Sequence, residues 1–286
     1  MNQANLNIDF LSQWIGNKES IEETISAEPL HRMAATLDLE PRTIVHGDVV
    51  PALWHWAYFL TPTRASQLGN DGHATLGEFM PPVPLPRRMW AGGELKFITP
   101  LRVGELARRE TTIRDVKVKQ GRTGKLCFVA VEHCILVAGE LRFSEIHNLV
   151  YRDIKQPDED NVKPPQAPGD MQWSREVQPS STLLFRYSAL TFNAHRIHYD
   201  LDYCRDVEGY PGLVFHGPLT ATLLLEQAQE RNPNWSLESY EFRAYSPLFD
   251  SATFTLNGKM EGQNAVMWAT NADNGLAMKA TARFKA

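Results

Sequence analysis

The 286-residue sequence holds only three cysteines, Cys127, Cys134 and Cys204, and no CxxC. One thiol stays unpaired under any pairing, so a disulfide scaffold is excluded and a reduced, cytoplasmic setting is expected. The opening stretch "MNQANLNIDFLSQW" lacks a basic segment followed by an apolar core, so no secretory signal is expected there. Long hydrophobic runs are also missing: "ALWHWAYFL" is among the strongest and is far too short to cross a bilayer. Neither GxGxxG nor GxxxxGK[ST] occurs, which removes the usual nucleotide-binding fingerprints. Positive charge is in deficit, with a net charge of −5, so neither nucleic acid nor a membrane surface is expected as a partner. What is present is ordinary for a globular chain: 43% hydrophobic and 22% charged residues, enough to bury one large core or two smaller ones.

Residues 153–172, "DIKQPDEDNVKPPQAPGDMQ", carry four prolines and five acidic residues and almost nothing apolar. That composition predicts a solvated linker between an N-terminal domain at 1–152 and a C-terminal domain at 173–286. The halves share a faint repeat. "ELKFITPL" at 94–101 matches "EFRAYSPL" at 241–248 with a constant offset of 147. Upstream, "VHGDVVPALWHW" (45–56) parallels "FHGPLTATLLLE" (215–226), each a His-Gly entering an apolar run that predicts a helix. The two landmarks stand about twenty residues further apart in the first half, and "TPTRASQLGNDGHATLGEFMP" fills the excess as a loop. Order and spacing together predict an internal duplication.

After each predicted helix come short, partly alternating runs divided by Gly, Asn or Asp, such as "SYEFRAYS", "SATFTLNGKM" and "LAMKATARF". No helical segment separates them, so the sheet is antiparallel. The expected class is α+β, with each half an antiparallel sheet wrapped around one long helix. Trp54, Trp56 and Phe59 read as packing residues of the first-half helix.

The densest chemistry lies at 192–200, "FNAHRIHYD". "SSTLLFRYSAL" before it predicts a helix capped by Ser181, with Leu183, Leu184 and Tyr187 on one face. "VFHGPLTATLLLEQAQE" beyond it predicts a second helix, with Pro218 in the first turn. The first amides of a helix have no internal partner, and Gly217 lets a ligand approach closely. A thioester carbonyl placed there would be polarised, and a neutral histidine from the preceding loop could move protons beside it.

"FRYSALTFNAHRIHYD" followed by "GLVFHGPL" resembles the MaoC-like hydratases and dehydratases, in the branch of type 2 hydroxyacyl-thioester dehydratases. "PPVPLPRRMWAGGELKF" and "PLRVGE" extend the likeness into the first half. The resemblance implies a double hot-dog fold, a degenerate N-terminal half shaping the acyl tunnel, and one active site per chain. It implies that His198 is the catalytic base, that Asn193 stands where relatives carry an aspartate, and that Gly217 supplies the oxyanion-binding amide. An amide cannot accept a proton as a carboxylate does, so His198 carries more of the acid–base work.

For the remaining residues two readings stay open. His195 is either structural or part of the site. The HxxH spacing lacks the further ligands of a zinc motif, so no metal is assigned. His216 either packs beside the helix start or acts directly, and Tyr187 and Ser188 either line the pocket or belong to the core. Arg196 either holds a substrate anion or pairs with Asp200 or Asp202. Arg87 and Arg88 either meet CoA phosphates or form a solvated pair.

The activity implied by resemblance is reversible addition of water to an enoyl-CoA by a hydro-lyase that needs no cofactor beyond the CoA of its substrate. Members with this first half resemble mesaconyl-CoA (methylfumaryl-CoA) and itaconyl-CoA hydratases forming citramalyl-CoA, as in itaconate degradation. A (3R)-hydroxyacyl-thioester dehydratase of linear chains, a hot-dog thioesterase and a non-catalytic acyl-CoA-binding protein are the alternatives. Assembly into a homo-oligomer is left open.

Overall fold

The computed structural model describes residues 6–121, 124–153 and 163–285. A short helix α1 (Ile8–Leu11) leads into β1 (Lys18–Thr24) and α2 (Glu28–Thr36), followed by β2 (Arg87–Phe97), β3 (Leu106–Gly121), β4 (Gly124–Val137) and β5 (Glu140–Arg152). The second half runs β6 (Trp173–Val177), α3 (Ser181–Leu190), α4 (Gly217–Arg231), β7 (Ser236–Ala244), β8 (Phe254–Glu261), β9 (Asn264–Thr270) and β10 (Leu276–Lys285). All ten strands join one sheet in the order β1-β3-β4-β5-β2-β7-β10-β9-β8-β6, and each pairing is antiparallel.

The strand order reads as two copies of one unit related by a pseudo-two-fold. At the seam between β2 and β7, Glu94 lies directly opposite Glu241. These residues also correspond in the 147-residue repeat, so the rotation axis passes through this pair. Both face solvent, which keeps two like charges tolerable at close range. Gly92 is needed at the seam, because a Cβ there would come within 2.4 Å of the Phe242 carbonyl oxygen.

In the C-terminal half the prediction of a wrapped helix holds. α4 buries nearly its whole circumference from Leu219 to Ala228, and β9 and β10 meet it with Ala265, Met267, Ala269, Ala280 and Ala282. A helix buried on nearly every side, Thr220, Thr222 and Gln227 included, is stable only when enclosed. Tyr240 in β7 donates its hydroxyl to the Ala221 carbonyl at 2.7 Å, fixing helix to sheet.

In the N-terminal half the long helix is absent, which corrects the expectation that each half has one. "ALWHWAYFL" forms a single 3-10 turn at Trp54–Ala57. The backbone takes positive φ at Leu53 (70°) and Phe59 (54°), so α-helix cannot propagate through either. Side chains hold it there. The Trp54 indole donates to Glu226 on α4 at 2.9 Å, while the Trp56 indole donates to Glu145 on β5 at 3.0 Å. The two tryptophans, two residues apart, are drawn to carboxylates in different halves, which anchors this turn to both. The space that a helix would fill is part of a cavity of about 940 Å³ between the halves.

Two smaller expectations change. α3 is capped by Ser180, whose Oγ accepts from the Leu183 amide at 3.1 Å, rather than by Ser181. The described part of the proline-rich segment, 163–172, is laid along the C-terminal sheet, with the Leu276 amide donating to the Pro165 carbonyl and Lys259 pairing with Asp170. The rest of the expected linker, 154–162, lies outside the described residues.

Candidate active site

The 192–200 loop leaves α3 through Phe192, whose φ is 51°, and forms a 3-10 turn at Arg196–His198. This turn sets His198 between the loop and the extended segment before α4. Its Nδ1–H donates to the Val214 carbonyl at 2.8 Å. A carbonyl only accepts, so the proton sits on Nδ1 and Nε2 keeps a free lone pair. His198 is buried, and burial pushes its pKa down to about 4. The ring is therefore neutral at physiological pH.

His216, the residue before α4, stacks on His198 with ring centroids 3.7 Å apart and planes 20° apart. Its Nε2 meets Ser188 Oγ at 2.8 Å, which ties the ring to α3. Burial, then the neighbouring His198, holds His216 well below the usual histidine range. Tyr187 packs on the other side at 4.9 Å. Gly217 opens α4 beside them and lines the cavity with Asn193, His195, His198 and Tyr187. A methyl group on Gly217 would come no closer than 3.9 Å to protein atoms, so only a ligand in the cavity would feel it.

Asn193 is committed on one side. Its Oδ1 accepts the His195 amide at 3.0 Å, an Asx turn that shapes the loop and leaves the NH₂ group as its donor. His195 is buried with Nε2 unpartnered, 4.3 Å ring-to-ring from His73 and 5.5 Å from His198. Burial, then His73, holds it well below the usual range.

Arg196 is turned away from the cavity. Its Nε and Nη2 donate to Asp200 at 3.0 and 2.7 Å, its Nη1 donates to the Asn70 carbonyl, and the guanidinium stacks on Tyr203 at 4.3 Å. The ion-pair reading wins, because a planar cation already bonded on three nitrogens has little left for a ligand. Ser188 and His216 lie behind His198 and do not line the cavity. Arg87 is not solvated: buried, it bonds Glu208 across the halves at 2.6 Å and lies over Tyr210. Its neighbour Arg88 points the other way and lines the cavity.

Several site residues were not foreseen, and all belong to the N-terminal half. The loop that fills the repeat's excess carries Asp71 and His73, hydrogen-bonded at 2.9 Å. It grips the 192–200 loop through the Arg196 amide, which donates to the Asp71 carbonyl at 2.9 Å. Asp71, His73 and His195 bring three donor atoms within 4.8 Å of one another, as do His133, Glu145 and His147 across the cavity. Either cluster offers donors suited to a transition metal; within them Asp71 bonds His73 and Glu145 lies 3.2 Å from His147, while His195 Nε2 has no partner. The available signal was polar residues at inward-facing strand positions: Thr111, His133, Glu145 and His147 sit where a core strand carries aliphatics.

The hydroxyacyl-thioester dehydratase type 2 family model matches residues 53–250, which includes both the cavity-lining strands and the histidine loop. The chain belongs to that family. Among curated proteins it is 42% identical over 268 residues to mesaconyl-C(4)-CoA hydratase of Chloroflexus aurantiacus, covering 94% of this chain and 95% of that one. It is 28% identical to the mitochondrial type 2 hydroxyacyl-thioester dehydratase of Schizosaccharomyces pombe, covering 81% and 87%. Among solved structures, a MaoC-like dehydratase superposes with a TM-score of 0.71 at 14% identity, covering 96% of this chain and 99% of that one. A Mycobacterium tuberculosis protein described as a double hotdog fold gives 0.56 at 13%, covering 95% and 96%. At these identities the structural likenesses carry the fold alone: a double hot dog, here with no long central helix in its N-terminal half.

Proposed function

We infer that this protein adds water reversibly across the double bond of a short, carboxylate-bearing enoyl-CoA of the mesaconyl-CoA type, forming citramalyl-CoA. The observation that carries the reading is a neutral His198 with Nε2 unengaged, held beside the first amide of α4 in a cavity shared with Gly217. The 42% identity to a mesaconyl-C(4)-CoA hydratase over nearly the whole chain supports the substrate class.

In this mechanism the thioester oxygen rests at the start of α4, where the Gly217 N–H and the helix dipole favour negative charge. His198 Nε2 takes a proton from water as the oxygen bonds to the β-carbon. The electron pair of the double bond moves onto the thioester as an enolate. The proton on His198 then passes to the α-carbon, restoring the neutral ring and leaving the hydroxyacyl-CoA. Asn193, through its NH₂ group, donates to the water oxygen or the substrate and takes no proton. His216 and Ser188 hold the His198 ring in place.

The test is turnover of a panel of enoyl-CoAs, followed by the absorbance of the conjugated thioester and, in parallel, by free thiol. Loss of absorbance on mesaconyl-CoA without thiol release is expected, and His198→Ala should lower kcat by about 10³-fold. Thiol release would establish a thioesterase instead. Activity confined to linear chains such as crotonyl-CoA would sink the dicarboxylic assignment.

A further inference from the structure

The two halves treat the same sheet face differently. β9 and β10 give α4 an aliphatic surface. β4 and β5 occupy the equivalent places in the strand order, yet they present Val131, His133, Glu145 and His147, and they present them to the cavity. With no helix above it, this polar face is the wall of the acyl-binding space. A linear alkyl chain gains nothing from such a wall and would strip water from it.

One cation on that wall is loosely partnered, its guanidinium 5.9 Å from the centre of the Phe59 ring. Arg109, on β3, has a side chain only 18% exposed, and its buried Nε meets no acceptor. Its ion-pair partner Glu19 stands 3.9 Å from Nη2, beyond hydrogen-bond range. Glu145 is already occupied: Oε2 accepts from His55 and Trp56, and Oε1 lies 3.2 Å from His147 Nε2. His133 bonds Thr111 Oγ1 through Nδ1 at 2.9 Å, which leaves Nε2 as the ring's remaining polar atom. A largely buried guanidinium with an unmet Nε donor, on the wall of a ligand cavity, calls for an anion.

We propose that Arg109, assisted by His133, binds the free carboxylate of the dicarboxylic acyl-CoA, so that the degenerate half selects the substrate. This rests on the hydration reading for the identity of the ligand. A chain of ring contacts links the start of α4 to His133: Trp90 reaches Gly217 and His147, and the His147 ring packs 4.4 Å from that of His133. The Trp90 carbonyl oxygen lies 4.0 Å from where a Cβ on Gly217 would stand, and the Trp90 ring packs 4.1 Å from His147.

The experiment compares two saturated, unreactive ligands by calorimetry on the full-length protein. Methylsuccinyl-CoA carries the carboxylate, and isovaleryl-CoA has a methyl group in its place. The wild type should bind methylsuccinyl-CoA at least about tenfold more tightly. Arg109→Gln should weaken that ligand by about 100-fold and isovaleryl-CoA by less than about threefold, while Arg109→Lys recovers most of the loss. Retained isovaleryl-CoA binding certifies the fold of each variant. Equal affinity of the wild type for both ligands overturns the proposal, as does equal weakening of both in a variant with a wild-type melting curve. If Arg109→Gln does not fold, Arg109→Lys and the wild-type preference decide by the same criteria. A wild type that shows the preference yet hydrates no enoyl-CoA would refute the hydration reading and leave the carboxylate site standing.

Discussion

The protonation state of His198 gives a prediction with a number attached. A histidine at its ordinary pKa of 6.5 would be about 9% neutral at pH 5.5, whereas one at about 4 would be about 97% neutral. Burial is the first cause of the depression, and the nearby His73 adds to it, while the bond to the Val214 carbonyl works in the opposite direction. If the neutral ring is the base, as proposed, kcat/KM for hydration should stay flat within about 10% from pH 7.5 to 5.5. An unperturbed histidine would lose about tenfold over that range. The assay is the initial rate of thioester absorbance loss at substrate concentrations well below KM, with circular dichroism at each pH. That second measurement matters because the same shift couples to stability. Between pH 6.5 and 4 the unfolded chain binds a proton at His198 that the native state refuses. Its contribution is full above pH 6.5 and is lost as pH falls towards 4, on the order of 3 kcal/mol. A tenfold fall in kcat/KM by pH 5.5 in protein that is still folded would refute the claim that His198 works as a buried neutral base.

Further consequences are testable in single variants. Glu208→Gln leaves Arg87 buried without its charge partner and should destabilise the fold by about 3–5 kcal/mol, read as a fall in the denaturation midpoint. Gly72→Ala should lower both stability and kcat, since Gly72 has φ 89° and a Cβ would lie 1.8 Å from the Ala194 carbonyl oxygen. The expected cost is about 2 kcal/mol or more, and an unchanged melting temperature would show that the two loops are not locked together. Arg196→Ala removes a half-exposed ion pair with Asp200, so it should cost less than about 1 kcal/mol. It should also change KM equally for carboxylate-bearing and neutral enoyl-CoAs.

Much of the architecture was written locally. The alternating runs, the His-Gly-Pro entry to α4 and the 147-residue repeat each depend on neighbours in the chain, and each is found in the structure. The first-half helix was misread for a physical reason. An apolar run with ring residues is compatible with a helix until carboxylates from distant elements claim those rings, and Glu145 and Glu226 lie 89 and 172 residues beyond their tryptophan partners. The histidine loop showed the same division. The identity of His198 as a candidate base was legible in its motif, whereas its tautomer and its neutrality depend on Val214 and on enclosure.

By itself the sequence determined which segments form strands, where α4 begins and which loop carries the chemistry, because periodicity, capping and turn residues act within a few positions. Only the tertiary structure decided what those elements face. It paired Arg196 with Asp200 outside the cavity, and it opened that cavity where a helix was expected. It also brought Arg109 and His133 into the lining of the cavity that His198 shares. Burial and the partners of a charge are properties of the assembled fold, and no stretch of neighbouring residues encodes them.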